Sequence, residues 1–442
     1  MTSAAASTIL VAIAAWLAGR WVVPAREPGE LRVGHAGLET LAGLCLLAAA
    51  LSCASALGAP RAAVTALAYA IAAGGLLARR RAPATPDGAR RSLAWEAAAL
   101  APVVLLGAPS ALAAVSGPPL DHDAVAIWLP KVHEAAEVDP PEVRAIRAAW
   151  PHHMHPQYPR GLAWLATAAS PIGDPDPRLV RLIPLLFALA LSLATVNAAA
   201  RSAGPACGVL SAAIVLATAE FSRSMHLGQA DAAMAGAVLL AAIAATHLRD
   251  ARGGLALAAV AGAGAGSIKA EGLVVTLAVG VFVLARLALR RDSWRTSVAA
   301  LAILGLALPW WIFRSHDPTP GLLYAVPTFL ADPSMLVERL VATPKTLLGL
   351  LVPPGSQSAG HPSPTAWISA ACLLVLLPGR TWGAVVWPAL VLLLADYAIY
   401  VVTPAALHWH VATSATRLLV QALPTLVLGA TTRLAAATRS TT

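Results

Sequence analysis

The chain has 442 residues, 58% of them hydrophobic and 12% charged, with a net charge of +9 and a mean hydropathy of +0.70. That balance excludes a water-soluble globular domain of this length and makes the bilayer the solvent. It also argues against a nucleic-acid partner: no basic soluble domain is present to bind one, and the arginines flank apolar stretches, where they read as topology signals.

An apolar helix of about 20 residues crosses the hydrocarbon core. Thirteen candidate stretches follow one another at 8–23, 36–57, 62–78, 93–115, 179–200, 205–219, 231–248, 254–268, 273–289, 297–313, 366–378, 382–402 and 417–432. Nothing basic precedes the first, and Arg20 and Arg26 follow it, so it is expected to stay as an anchor rather than be cleaved as a signal. Cys45, Cys53, Cys207 and Cys372 all fall inside apolar stretches without ligand spacing, which supports neither a disulfide framework nor a zinc site.

Arg79, Arg80, Arg81, Arg90 and Arg91 mark the loop after the third stretch as cytoplasmic. Alternation then places the turns near Arg201, Arg249, Arg286, Arg380 and Arg433 on that same side. Thirteen spans in an inner or plasma membrane leave the N-terminus outside and the C-terminus in the cytoplasm. The long segments 116–178 and 314–365 fall on the outer side, whereas Glu39 and Glu96 read as interfacial at cytoplasmic helix ends. The expected organisation is therefore accessory helices over 1–90, a module over 91–313 that includes the first large outer loop, a second outer loop over 314–365, and C-terminal helices over 366–442.

Polar chemistry collects on the outer side. The first outer segment opens with Asp121, His122 and Asp123, and Ala124, Trp128 and Lys131 then stand at the i, i+4, i+7 spacing of a short amphipathic helix lying at the interface. At the first turn of that helix the dipole favours an ionised Asp123, as a general base requires, although a plain helix cap fits equally. The DxD spacing also suits a divalent metal. Further on, His152, His153 and His155 crowd together, but the prolines around them deny the helical spacing that presents two imidazoles to a metal. Together with Tyr158 they read better as an aromatic and imidazole lining for a polar substrate.

The later outer turns contribute His226 and Asp231, then Lys269 and Glu271, then His408, Trp409 and His410 ahead of Arg417. Asp231 is a natural helix cap, the Lys269–Glu271 pair reads as an exposed hairpin pair, and Arg417 reads as a snorkelling interfacial cation. Facing a vestibule, Lys269 and Arg417 would instead suit a phosphate. Asp396 lies within a spanning stretch, where a carboxylate is a functional candidate by default.

Five stretches resemble blocks of glycosyltransferase family 39, the protein O-mannosyltransferase-like enzymes of the GT-C superfamily, in a bacterial branch. DAVAIWLPK at 123–131 is similar to a D-A-aliphatic-x-x-W-L-P-K block, HPQYP at 155–159 to HPDYP, and GQAD at 228–231 to GYAD. SIKAEG at 267–272 is similar to TKNEG, and WHVATSATRLLVQALP at 409–424 to a closing block with WH, S and R followed by P. The blocks keep the family's order. His122, Gln157 and Ala270 depart from the residues expected there, namely Trp, Asp and Asn.

The resemblance implies an all-α integral membrane protein, a GT-C-type bundle of about thirteen transmembrane helices with short amphipathic helices in its extracytoplasmic loops. It implies transfer of a sugar, with inversion, from a polyprenyl-phosphate donor to a lipid, glycan or protein acceptor at the outer face. Asp123 would be the catalytic base, Lys131, Lys269 and Arg417 the ligands of the donor phosphate, and His155, Tyr158, Asp231, Glu271 and His410 the substrate contacts. It also implies metal independence, so the reading taken is one without a cofactor despite the DxD spacing. A flippase for lipid-linked sugars, or a noncatalytic subunit of an envelope glycan system, is the alternative.

Overall fold

A computed structural model describes residues 2–26, 30–79, 93–117, 121–149, 158–170, 173–246, 251–289, 291–313, 332–351, 363–376, 383–402 and 406–440. Among them every regular element is a helix. The helices up to the first outer segment are α1 (Thr2–Gly19), α2 (Arg32–Ala56), α3 (Arg61–Arg79) and α4 (Leu93–Ser116). A π-helical turn, Ala124–Trp128, leads into α5 (Leu129–Ala135), followed by α6 (Pro141–Ala149) and α7 (Gly161–Ala169). Then come α8 (Leu179–Ala203), α9 (Pro205–Ala217), α10 (Ala219–Leu227), α11 (Asp231–Thr246), α12 (Ala251–Ile268) and α13 (Gly272–Ala288). The penultimate helix is Gly383–Val402 and the last is Leu407–Ser440.

Each of the thirteen apolar stretches is largely helical over its described residues. Among the described residues six helices are long and apolar enough to cross a bilayer: Arg32–Ala56, Leu93–Ser116, Leu179–Ala203, Trp294–Phe313, Val385–Val402 and Leu407–Arg439. The chain is thus built as a multi-pass membrane protein. α9 and α10 would count as a seventh span, but the pair bends by 70° at Thr218, whose extended backbone (φ −71°, ψ 120°) ends the first helix. Six further apolar helices present 10–17 described residues each: Ala4–Gly19, Arg61–Leu77, Asp231–Thr246, Gly253–Ile268, Gly272–Ala288 and Pro364–Leu376.

One contiguous core holds the described bundle together, with members from Ala4 to Ala430. α2 lies in its midst, packed on α1, α8 and α12, so the first helices share the core rather than stand apart from it. Alanine and glycine dominate α11 and α12; such small side chains let helix backbones approach closely where lipid offers no hydrophobic drive of its own.

Glu39 and Glu96 both have structural partners. Glu39 is 3% exposed and accepts the Trp16 indole N–H at 2.7 Å. Glu96, on α4, accepts the backbone N–H groups of Arg32 at 2.8 Å and Val33 at 3.2 Å, which are unsatisfied donors of the first turn of α2. It serves as a cap supplied from another helix. Glu96→Ala is expected to lower stability by about 1–2 kcal/mol, read as a fall in melting temperature, whereas an unchanged melt would mean that water caps α2 equally well.

Candidate functional site

Four helix segments meet at one end of the bundle: the start of α11, the end of α12, the start of α13 and the N-terminal half of the last helix. Asp231 opens α11 and is fully buried. An isolated carboxylate there would be costly, and three donors satisfy it. Lys269 Nζ and Gln421 Nε2 reach Oδ1 at 3.0 and 2.7 Å, and Arg417 Nε reaches Oδ2 at 3.0 Å. The dipole of α11 favours the negative charge at the same point.

Arg417 bridges two acids. Its Nη2 donates to Asp123 Oδ2 at 2.5 Å while its Nε holds Asp231. Asp123 itself stands just before the π-helical turn, and its backbone N–H donates to Asp121 Oδ1 at 3.0 Å. The other oxygen of Asp121 accepts from Gln229 at 3.3 Å. Burial, with the Asp123 charge beside it, pushes the Asp121 carboxyl above its ordinary range.

Two glycines allow these approaches. Gly228 ends α10 with φ +81°, and a Cβ there would lie 2.8 Å from the Ala124 Cβ, so the π-helical turn that carries Asp123 needs glycine at this point. At Gly272 a Cβ would lie 1.9 Å from the Ala265 carbonyl oxygen, which keeps the Lys269–Glu271 turn tight against α12.

In that turn Lys269 also meets Glu271 Oε1 at 3.2 Å. This is no exposed hairpin pair, since the two side chains are 6% and 11% exposed. Burial works against the Lys269 charge, but Asp231 and Glu271 outweigh it and hold the ammonium above its ordinary range. The second Glu271 oxygen, Oε2, is buried with no hydrogen-bond partner among the described residues. Tyr158 lies within electrostatic reach of Glu271, Lys269, Asp123 and Arg417; burial, then the Glu271 charge, raises its phenol, so it is a neutral donor.

Lys131 stands apart from these cations. Its helix does not lie on an interface: Trp128 and Lys131 are 3% and 2% exposed. The π-helical turn turns them inward, where Trp128 meets Tyr158 at 6.2 Å between ring centroids. Lys131 Nζ donates to the Tyr158 carbonyl at 3.4 Å. Burial, then the Arg160 charge, lowers its ammonium to about 7. Among the described residues, Arg160 and Glu134 are charged groups that act on it.

The segment His408–His410 was expected in a loop, but the last helix already runs through it. His410 packs edge-on against Tyr400 at 5.0 Å, and its Nδ1 is buried without a partner among the described residues. His155 lies outside the described residues. Gln421 is a site residue that motif reading passed over, although it stands one helical turn (i+4) after Arg417 in an apolar run.

Asp396 is the outlier. It is 3% exposed, and neither carboxylate oxygen has a hydrogen-bond partner among the described residues. Glu271, Lys269 and Asp231 lie within its electrostatic reach. Replacing an unsatisfied buried acid by a packed apolar residue is stabilising as a rule, so Asp396→Leu should raise stability by roughly 1–3 kcal/mol. A lower melting temperature would show that the carboxyl holds its surroundings together.

Comparison with known protein families, characterised proteins and solved structures returns no match.

Proposed function

We propose that this chain is a membrane glycosyltransferase of GT-C type, with about thirteen transmembrane helices, that moves a sugar from a polyprenyl-phosphate donor to an acceptor at the extracytoplasmic face. The observation that carries the reading is the Asp123–Arg417–Asp231–Lys269 chain of ion pairs. It joins four of the sequence blocks, separated by nearly 300 positions, in one chain of two carboxylates and two cations.

The chemistry follows from those groups. Asp123 takes the acceptor's hydroxyl proton as that oxygen attacks the anomeric carbon from the face opposite the leaving group. A new C–O bond forms, the bond from the anomeric carbon to the phosphate oxygen breaks with its electron pair, and configuration inverts. Polyprenyl phosphate departs with the added negative charge, which Arg417 and Lys269 stabilise in a site poor in water. Both cations are neutralised by carboxylates at rest. An incoming phosphate therefore competes for Arg417, and its success frees Asp123 to act as base. Tyr158, Glu271 and His410 supply hydrogen bonds to the substrates, and Lys131 fixes the Tyr158 backbone. The loop arginines favour an external N-terminus and a cytoplasmic C-terminus.

The decisive experiment places the purified protein in liposomes with a polyprenyl-phosphate hexose and a hydroxyl acceptor. The expected result is a new glycosidic bond matched by free polyprenyl phosphate. A second reading, a carrier for lipid-linked sugars, draws on Asp396, a buried carboxyl on a spanning helix. Movement of the intact sugar lipid between leaflets, with no new bond, would establish the carrier and overturn the transferase.

A further inference from the structure

The helices that the sequence presents as accessory reach directly into the first outer segment. Arg61 opens α3, and its guanidinium donates to three backbone carbonyls of that segment: Nη1 to Ala136 O at 2.7 Å, and Nη2 to Ser170 O and Gly173 O at 2.8 Å each. Ala136 and Ser170 are the C-caps of α5 and α7. Carbonyls at helix C-termini lack an intrahelical donor, and the helix dipole favours a cation beside them. One side chain thus closes two helices. Two turns further along α3 the Tyr69 hydroxyl donates to Ala168 O at 3.0 Å, a second tie to the end of α7.

The junction is built from the other side as well. Glu137, the residue after the α5 cap, has φ +59°, the left-handed conformation that normally falls to glycine at this position. A glutamate there bears the strain and gains an acceptor: its Oε1 takes the Arg61 backbone N–H at 3.4 Å, a donor that the first turn of α3 leaves open. α7 in turn is buried over its whole length. A Cβ at Gly161 would lie 2.4 Å from the Ser267 carbonyl and 3.1 Å from the Ala48 Cβ, so the start of α7 is wedged between α2 and the end of α12.

These ties bear on the site because α5 is the far end of the helical run that starts at Asp123. The π-helical turn and α5 follow Asp123 without a break, and Thr167 Oγ1 of α7 lies 3.2 Å from the Val132 carbonyl of α5. At roughly 1.5 Å per residue the run from Asp123 to Ala136 is about 20 Å long; Arg417 holds one end and Arg61 the other. We propose that Arg61 is a positioning residue: by pinning the ends of α5 and α7 it sets where Asp123 meets Arg417, which makes α3 part of the scaffold of the site. The anchoring stands on these contacts alone, and its effect on turnover rests on the sugar-transfer reading.

The test uses the full chain in detergent and reads amide hydrogen exchange segment by segment by mass spectrometry. Arg61→Met, which keeps the stem and removes every donor of the head, should speed exchange about tenfold over 129–137 and 161–170 and leave α11 and α13 as in wild type. Arg61→Lys, whose ammonium reaches some of the three carbonyls but not all, should fall between the two. Tyr69→Phe removes a single hydrogen bond and should speed exchange at the end of α7 alone, which keeps the test decisive where Arg61→Met does not fold. In the transfer assay, kcat of Arg61→Met should fall about tenfold per folded molecule, since a displacement of about 1 Å at the reacting groups can cost about 10²-fold. Donor KM should stay unchanged, because Arg417 and Lys269 lie on other helices. Wild-type exchange in both segments of Arg61→Met and in Tyr69→Phe, or an equal rise in α11 and α13, would overturn the proposal. So would wild-type kcat in Arg61→Met with both segments loosened, because Asp123 would then not depend on them. If the wild-type protein forms no glycosidic bond, the sugar-transfer reading falls and the exchange rates alone decide the anchoring.

Discussion

Asp123→Asn will lower sugar transfer by about 10²–10⁴-fold, the range that a positioned general base contributes, and the protein will still fold. The amide keeps the size of the side chain but cannot take a proton. Structural damage is limited because the Asp123 side chain is 22% exposed and because Arg417 retains Asp231. Donor affinity separates this outcome from simple disruption: Arg417, released from one acid, meets the phosphate at least as well, so KM for the donor should hold or fall while kcat collapses. Asp121→Asn is the control, since Asp121 accepts the Asp123 backbone N–H and sets its position; its loss should be smaller, about tenfold. Steady-state rates near wild type for Asp123→Asn would place the base elsewhere. A greater loss in Asp121→Asn would point to Asp121 itself.

The sequence revealed the helices better than it revealed their ends. Apolar runs locate each of the six helices long enough to span among the described residues, because the bilayer imposes a length and a polarity on each. The start of the last helix was hidden, since His408, Trp409, His410, Thr413 and Ser414 read as an outer loop. They are helical because Ser414 bonds the Tyr400 hydroxyl at 2.9 Å and His410 packs on the same ring, contacts that no local pattern encodes. The bend at Thr218 was likewise invisible within one apolar run.

Charge was legible as position but not as partnership. Lys269, Arg417, Asp123 and Asp231 could each be singled out, but their shared geometry arises from four elements meeting in space. Lys131, in one of the same blocks, donates to the Tyr158 carbonyl and has the Arg160 charge beside it, contacts that its block does not announce. Glu30, unremarked in the sequence, pairs with Asn197 and Arg201 over 150 positions away, while His35 and Glu39 join the same cluster through Glu30 and Trp16.

Asp231→Ala should be the most damaging substitution for the fold, at about 3–5 kcal/mol, the usual cost of removing one partner from a buried ion pair. Lys269, 6% exposed at its side chain, would keep only Glu271, and Arg417 only Asp123. Gln421 Nε2, on a fully buried residue, would lose the acceptor that it holds at 2.7 Å. A loss of this size approaches the whole margin of a typical folded protein, roughly 5–15 kcal/mol. The expected readout is a large drop in melting temperature in detergent and poor recovery of folded protein. Asp231→Asn, which keeps an acceptor oxygen but no charge, should fall between alanine and wild type. On the proposed reading Asp231 and Asp123 divide the site: the buried acid holds four elements together, and the partly exposed one is the proposed base. If Asp231→Ala melts like wild type and Asp123→Asn does not, the two roles are exchanged, and the base must be sought in the buried acid.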